Sequence, residues 1–207
     1  MTLDDALAEA PVVAILRGVT PDEVVGHVQA LHDGGIRGVE VPLNSPDPLE
    51  SIRRLAEAFG DRMAVGAGTV LTPERVEAVA AAGGRIIVAP NTSKAVIARA
   101  LALGLDPAPG FGTATEAFAA IEAGARHLKL FPAVTYGPAH VRQLKAVLPA
   151  QAVVWAVGGV GPDSMADWWA AGVRAFGLGG EIYRAGQTVA ETVDKASRVM
   201  AAVGTLA

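Results

Sequence analysis

The sequence contains no cysteine among its 207 residues, and this absence excludes disulfide bonds and thiolate metal sites. It also has no block of basic residues and carries a formal net charge of −4, so nucleic acids and membrane surfaces are unsuitable partners. There is no run of about 18 uncharged apolar residues, which argues against a membrane-spanning helix. Residues 1–5 are acidic and lack the charged and apolar regions of a signal peptide, so we expect a cytoplasmic protein.

Two patterns associated with cofactors are also missing. No group of histidine, aspartate and glutamate residues has the spacing of metal ligands, and no G-x-G-x-x-G pattern follows the first predicted strand. We therefore expect neither a metal ion nor a nucleotide cofactor. His127 is predicted to be a packed strand residue. Trp155, Trp168 and Trp169 are interpreted as core and interface residues.

Glycine and proline are abundant, with 24 and 13 residues, and they divide the chain into eight units of a strand followed by a helix. Short apolar runs predict buried strands, and threonines followed by acidic residues predict helix starts. The fifth strand is the weakest, because its two prolines disfavour pairing. The predicted strands are 11–16, 38–43, 63–68, 85–89, 105–109, 126–132, 153–157 and 174–178. The predicted helix starts lie at 20–23, 72–74, 113–116 and 188–191.

The number of units determines the predicted fold. Strands that are apolar along their whole length are typical of parallel sheets covered by helices, and eight such units favour a closed (β/α)8 TIM barrel of the α/β class. A doubly wound open sheet is the alternative. With 51% hydrophobic residues, the chain can bury one full core, so we predict a single domain over 1–207 with a short N-terminal helical segment under the barrel.

Lys129 is the most informative residue in the sequence. It lies in the middle of a short apolar strand between Leu128 and Leu130, whereas the other three lysines fall in segments with helical periodicity, where a solvated position is expected. Burial of an ammonium group is unfavourable, so this position predicts a lowered pKa. A neutral amine is the nucleophile that forms a Schiff base with a carbonyl compound. The alternative is a lysine at the end of a strand that extends into solvent.

Further polar residues interrupt the predicted strands near their C-terminal ends, where TIM barrels carry their active sites. They are Arg17, Glu40, Thr69 and Asn91, in or after the first four strands. A carboxylate near a Schiff-base lysine can transfer the protons that such chemistry requires, and an arginine can bind a substrate carboxylate through two hydrogen bonds. Two alternatives remain open: Glu40 is only half of an ion pair with Arg17 or Lys129, and Arg17 is a paired core arginine.

Glycine pairs follow the last two predicted strands. Gly158 and Gly159 follow the seventh strand, and Gly179 and Gly180 follow the eighth. TIM barrels commonly bind phosphate at these two positions through backbone N–H groups, so the pairs predict a phosphate site. A third glycine-rich segment, 66–69, predicts close approach of two backbones, with Thr69 as a hydrogen-bond donor to the substrate.

Together these motifs resemble the KDPG/KHG aldolase family from about residue 11 onward. The resemblance implies a (β/α)8 barrel, a class I Schiff-base mechanism without a cofactor, and a homotrimer. The matching segments are 15–18, 38–46, 66–70, 90–91, 129–132 and 157–160. Within the family, Pro-Leu-Asn-Ser at 42–45 resembles the galactonate branch, whereas the phosphogluconate branch usually has Thr-Leu-Arg-Thr.

The resemblance also implies roles for individual residues. Lys129 forms the imine, and Glu40 transfers protons through water. The other implied substrate contacts are Arg17, Thr69, Pro90, Phe131, Gly158, Gly159, Gly179 and Gly180. Many relatives have serine at the position of Gly180, so the phosphate site is expected to be weaker here, or the substrate preference broader.

The reaction implied by the resemblance is cleavage of 2-dehydro-3-deoxy-6-phospho-D-galactonate to pyruvate and D-glyceraldehyde 3-phosphate. The sequence leaves open the same reaction on the C4 epimer, the phosphogluconate compound. It also leaves open a barrel that binds a phosphosugar without catalysis, and a cofactor-free isomerase or epimerase, which needs an acid/base pair but no imine.

Overall fold

The strands form one parallel sheet that closes into a barrel in the computed structural model, which describes residues 1–206. The sheet order is β5-β4-β3-β2-β1-β9-β8-β7-β6, and each strand pairs in parallel with its neighbours. The strands β1 to β9 are Val12–Ile15, Gly38–Pro42, Ala64–Gly68, Ile86–Val88, Asp106–Ala108, Gly110–Phe111, His127–Leu130, Val153–Val157 and Ala175–Leu178.

Helices cover the outside of this barrel. A 3-10 turn at Pro162–Ser164 leads directly into α8. Within residues 1–206, no helix is both long enough and apolar enough to cross a membrane. The helices α1 to α9 are Leu3–Glu9, Val24–Asp33, Pro48–Phe59, Pro73–Ala81, Lys94–Ala102, Ala114–Glu122, Ala133–Lys145, Met165–Ala170 and Val189–Val203.

The barrel closes at the strand with two prolines. Strands β5 and β6 are the two halves of the predicted fifth strand, separated at Pro109: β5 pairs with β4, and β6 pairs with β7. The Lys129 N–H donates a hydrogen bond of 2.9 Å to the Pro109 carbonyl across the break. Because the closure leaves no open edge, the prediction of a (β/α)8 barrel is confirmed and the doubly wound alternative is wrong.

Side chains inside the barrel form a core distinct from the one between strands and helices. Trp155 is the largest of them, and its Nε1 donates to His127 Nδ1 at 3.2 Å. Helix α1 covers the barrel from below with Leu3 and Ala6, which are fully buried. His127 is therefore a packed strand residue, as predicted, and the N-terminal helical segment lies under the barrel.

Three of the four predicted helix starts are confirmed, because the side chains of Thr72, Thr113 and Thr188 each accept a hydrogen bond from a backbone N–H in the first turn of the helix. The capping box predicted at Thr20 and Glu23 is wrong. Thr20 Oγ1 does donate to Glu23 Oε2, at 2.7 Å, but in a turn that precedes α2.

Candidate active site

A cleft of about 530 Å³ opens at the C-terminal ends of the barrel strands. It extends from the buried side chains inside the barrel to the loops that follow β8 and β9. Ten of the eleven residues that the sequence nominated line this one cleft: Arg17, Glu40, Thr69, Pro90, Lys129, Phe131, Gly158, Gly159, Gly179 and Gly180.

Lys129 projects from β7 into the base of the cleft. Only 6% of the residue is exposed, so the alternative of a lysine extending into solvent is wrong. Its Nζ lies 4.9 Å from the centre of the Phe131 ring. Burial lowers the pKa of Lys129, the negative charge of Glu40 opposes that shift, and the positive charge of Arg17 adds to it. The uncharged, nucleophilic form of the amine is thereby favoured relative to a lysine in water.

Glu40 projects from β2 into the same space and is 2% exposed. Burial raises the pKa of Glu40 to about 7, although the charges of Lys129 and Arg17 act in the opposite direction. Its Oε2 has no hydrogen-bond partner among the described residues. A buried carboxyl group with a pKa near neutrality can both donate and accept a proton at physiological pH.

Gly68 provides the space for this carboxylate. A Cβ atom at residue 68 would lie 1.6 Å from Glu40 Oε2, so only glycine is compatible with the present position of the side chain. Gly66, two residues earlier, lies against the backbone of β4, where a Cβ would be 2.1 Å from the Ile86 oxygen. The predicted close approach of backbones in this segment is confirmed.

The two ion-pair alternatives are wrong. None of the ion pairs in the part of the chain that the structure describes joins Glu40 to Lys129 or to Arg17. Arg17 is exposed, and its guanidinium donates to Asn44 Oδ1 at 2.6 Å. The adjacent Ser45 Oγ accepts from the Gly18 N–H at 3.0 Å. The Asn-Ser pair of the segment 42–45 therefore holds the loop that carries Arg17, and Arg17 lines the cleft.

Thr69 lies at the rim of the cleft with a φ angle of 58°, in the left-handed region that β-branched residues rarely adopt. Backbone strain of this kind is common at functional sites. Pro90 lines the cleft beside it, at the end of β4. Asn91, which the sequence grouped with these residues, does not line the cleft; it is exposed, and its carbonyl accepts from the Gly110 N–H.

Two glycine pairs contribute backbone to the far end of the cleft. Gly158 and Gly159 have φ angles of 93° and 74°, and a Cβ at residue 159 would lie 2.5 Å from the Val134 side chain. Gly179 and Gly180 also line the cleft, and no atom lies within 4 Å of a Cβ built on Gly179. At Gly158 and Gly159, a side chain is disfavoured by the positive φ angles and by the neighbouring atoms. At Gly179 and Gly180, there is space for a side chain.

Some lining residues were not predicted. Two are acidic: Asp163, in the 3-10 turn, and Glu181, directly after the second glycine pair. The Gly-Pro pair at residues 161 and 162, a typical start of a helical turn, was the only sequence signal for that wall. Among the described residues there is no group of three or more acidic or histidine side chains that could hold a metal ion.

Comparisons with known proteins agree with this geometry. The family model described as KDPG and KHG aldolase matches residues 3–199. The 2-dehydro-3-deoxy-6-phosphogalactonate aldolase of Escherichia coli strain K12 is 50% identical over 187 residues, which are 90% of this chain and 91% of that protein.

Solved structures agree as well. A native KDPGal structure has a TM-score of 0.92 and 49% identity, covering 94% of both chains. A cube-shaped protein cage, designed by fusing symmetric oligomeric domains, has a TM-score of 0.91 and 50% identity, covering 93% of this chain and 71% of that one.

Proposed function

The chain belongs to the KDPG and KHG aldolase family, and from this premise we propose that it is a class I aldolase. The proposed reaction is cleavage of 2-dehydro-3-deoxy-6-phospho-D-galactonate to pyruvate and D-glyceraldehyde 3-phosphate. One observation carries the proposal: a single buried lysine with a lowered pKa shares the base of the cleft with a buried carboxyl group whose pKa is about 7.

In the proposed mechanism, the neutral Nζ of Lys129 attacks the C2 carbonyl carbon of the substrate. The resulting carbinolamine loses water and becomes a protonated imine. When the C3–C4 bond breaks, its electron pair moves into the imine, so an enamine stays on Lys129 and the C4 hydroxyl loses its proton as the aldehyde forms. Protonation of C3 and hydrolysis of the imine then release pyruvate and restore the amine.

Glu40 is the proposed proton carrier for these steps, acting through water. Dehydration of the carbinolamine requires an acid, and deprotonation of the C4 hydroxyl requires a base. A carboxyl group with a pKa of about 7 is present in both forms near neutral pH. The unpartnered Oε2 supports this role, because it is a hydrogen-bond acceptor left available at the base of the cleft.

The remaining residues suit the two charged ends of the substrate. We propose that Arg17 and Thr69 bind the pyruvyl carboxylate, with Pro90 and Phe131 packing against the pyruvyl group. The phosphate is assigned to the backbone N–H groups of the two glycine pairs at the far end. This division is supported by the positions of these residues along one continuous cleft.

A homotrimer is the proposed assembly, in the cytoplasm. Support for an oligomer comes from the similarity to a chain used in a cage of fused symmetric oligomeric domains. Light scattering coupled to size-exclusion chromatography tests it: three times the monomer mass is expected, and a monomer or dimer mass contradicts it.

The function is tested by measuring pyruvate release from the two C4 epimers, with lactate dehydrogenase as the coupling enzyme. We expect a higher kcat/KM for the galactonate compound. Equal values, or a preference for the gluconate compound, would contradict the assignment to the galactonate branch. Tight binding of both compounds without pyruvate release would indicate a binding protein, and release of an epimer or isomer would indicate the isomerase alternative.

A further inference from the structure

Two positive side chains converge on one backbone oxygen behind the far end of the cleft. Lys195 Nζ, on α9, donates to the Gly180 carbonyl at 3.1 Å, and Arg184 Nε donates to the same oxygen at 3.3 Å. Neither side chain forms an ion pair in the described part of the chain. Two like charges at one acceptor repel each other, and the carboxylates of Glu181 and Glu191 act on Lys195 without forming an ion pair, so both cations direct their positive charge at the Gly180 peptide group.

The Gly180 carbonyl belongs to the peptide group whose N–H is that of Glu181. In the turn that follows β9, the Gly179 carbonyl accepts from the N–H groups of Ile182 and Tyr183, both at 2.8 Å. The N–H groups of Gly180 and Glu181 are thus the first two donors of a helical turn, and such donors have no acceptor within the turn. Both residues line the cleft.

The position of the lysine is fixed by a third side chain. Gln187 Oε1 accepts from Lys195 Nζ at 2.7 Å and from the Arg184 N–H at 3.0 Å. The amide nitrogen of Gln187 donates to Thr192 Oγ1 at 2.7 Å, and this hydroxyl also contacts the buried His27 Nδ1 at 2.8 Å. A chain of hydrogen bonds therefore connects the lysine to the buried interface of α2 and α9.

The local charge balance gives these cations a role at a phosphate site. The cleft wall at this end carries the carboxylates of Asp163 and Glu181, and both repel a phosphate dianion. No hydroxyl is available at residue 180. The nearest atom to a Cβ built on Gly180 is Arg184 Nε, at 3.4 Å, so the arginine lies beside the space that a serine side chain would occupy.

We propose that Arg184 and Lys195 are positioning residues for the substrate phosphate. They hold the Gly180 carbonyl, and so orient and polarise the adjacent N–H groups toward the phosphate, and they offset the two acidic side chains of the wall. This inference rests on the proposed phosphorylated substrate. It assigns to two cations outside the cleft a contribution that compensates for the absence of a side-chain hydroxyl at residue 180.

The test uses Lys195→Met, Arg184→Met and the double variant. Steady-state kinetics are measured with the phosphorylated substrate and with 2-dehydro-3-deoxygalactonate, which lacks the phosphate. Each single substitution is expected to raise KM for the phosphorylated compound about fivefold to tenfold, with kcat and the kinetics of the unphosphorylated compound unchanged. Lys195→Arg keeps a positive donor and is expected to restore most of the loss.

Two controls separate positioning from general damage. Arg198 lies in the same outer groove as Arg184 and Lys195 but, in the described part of the chain, donates no hydrogen bond to the Gly180 carbonyl, so Arg198→Met is expected to leave KM unchanged. Gly180→Ser introduces a hydroxyl at an open position. In the Lys195→Met background, it is expected to lower KM for the phosphorylated compound again.

Three results would overturn the inference. They are an equal loss with both compounds, an unchanged KM in the double variant, and a loss in Arg198→Met as large as in Lys195→Met. If the wild-type protein cleaves neither compound, the proposed function fails, and titration with inorganic phosphate then decides the inference alone. Weaker phosphate binding by the double variant would support it, and equal binding would overturn it.

Discussion

The two ends of the cleft use different physical means to handle charge. At the base, Lys129 and Glu40 are side chains on barrel strands and are almost completely buried. At the far end, the lining includes the backbones of two glycine pairs, and the nearby cations, Arg184 and Lys195, extend from the surface. The base of the cleft therefore consists of buried side chains that titrate. The far end is accessible to solvent and offers backbone N–H groups, which do not titrate.

Because of this difference, substitutions at the two ends of the cleft should have different effects on the enzyme. Burial shifts the pKa of Lys129 downward and that of Glu40 upward, because each charged form is poorly solvated inside the barrel. Groups at the far end remain in contact with water, where salt screens their charges. Substitutions at the base should therefore alter the chemical step by large factors, and substitutions at the far end should alter substrate affinity by small ones.

The sharpest contrast is expected from Lys129→Met. The variant retains a long side chain but has no nucleophile, so kcat should fall about 10⁴-fold or more. Its free energy of unfolding should stay the same or increase, because a buried amine is replaced by an apolar group. Lys94→Met, which removes an exposed lysine paired with Glu122, is the matched control. Retention of substantial activity by Lys129→Met would contradict the mechanism.

A second substitution tests the base of the cleft without replacing a residue that titrates. In Gly68→Ala, the new methyl group would collide with Glu40 Oε2, so the carboxylate must move. We expect kcat to fall about 10²-fold to 10³-fold, within the range for loss of a general acid/base. Gly26→Ala, in α2, meets only an ordinary contact of 3.5 Å and serves as control. Equal kcat values for the two variants would show that the position of Glu40 is unimportant.

The burial of Glu40 also predicts a pH-dependent stability. Its folded-state pKa of about 7 exceeds the ordinary value of 4.5 for a glutamate in water, so the folded protein keeps a proton that the unfolded chain loses. The wild type should therefore lose stability relative to Glu40→Gln as pH rises from about 4.5 to 7, by about 3 kcal/mol in total.

Urea denaturation of both proteins across this pH range measures the difference. Glu122→Gln, at an exposed position, controls for the loss of a negative charge. A difference between Glu40→Gln and the wild type that stays constant from pH 4.5 to 7 would contradict the raised pKa.

The smallest effect on stability and substrate affinity is expected from a substitution of Thr69, at the rim of the cleft. Thr69→Gly relieves a left-handed φ angle of 58° but gives the unfolded chain more freedom, so the gain in the free energy of unfolding should be below about 1 kcal/mol. The loss of the hydroxyl should raise KM for the substrate. If the variant gains stability and its KM is unchanged, Thr69 has no part in binding the pyruvyl end.

The base of the cleft was largely predictable from the sequence, because a charged residue within an apolar strand is a local signal. Lys129 and Glu40 each break such a strand, and the repeat of strands and helices placed both at the same end of the barrel. The glycine pairs were predictable for a similar reason, because they directly follow strands β8 and β9.

Long-range contacts were not predictable in the same way. Lys195 falls in a helical segment and was expected to be solvated, yet its amine reaches a carbonyl that is 15 residues away in sequence. Glu23, predicted as part of a capping box, also accepts a hydrogen bond from Tyr183, 160 residues later. The spacing of residues within a segment carries no information about such partners.

The most direct test of the account is to trap the proposed imine. The protein is treated with sodium borohydride in the presence of pyruvate, digested, and analysed by intact-protein and peptide mass spectrometry. We predict one covalent adduct with the mass of a reduced pyruvyl imine, located on Lys129 and absent from Lys129→Met. If the folded protein forms no adduct while a known Schiff-base enzyme is trapped in parallel, or if the adduct lies on another lysine, the central role of Lys129 is contradicted.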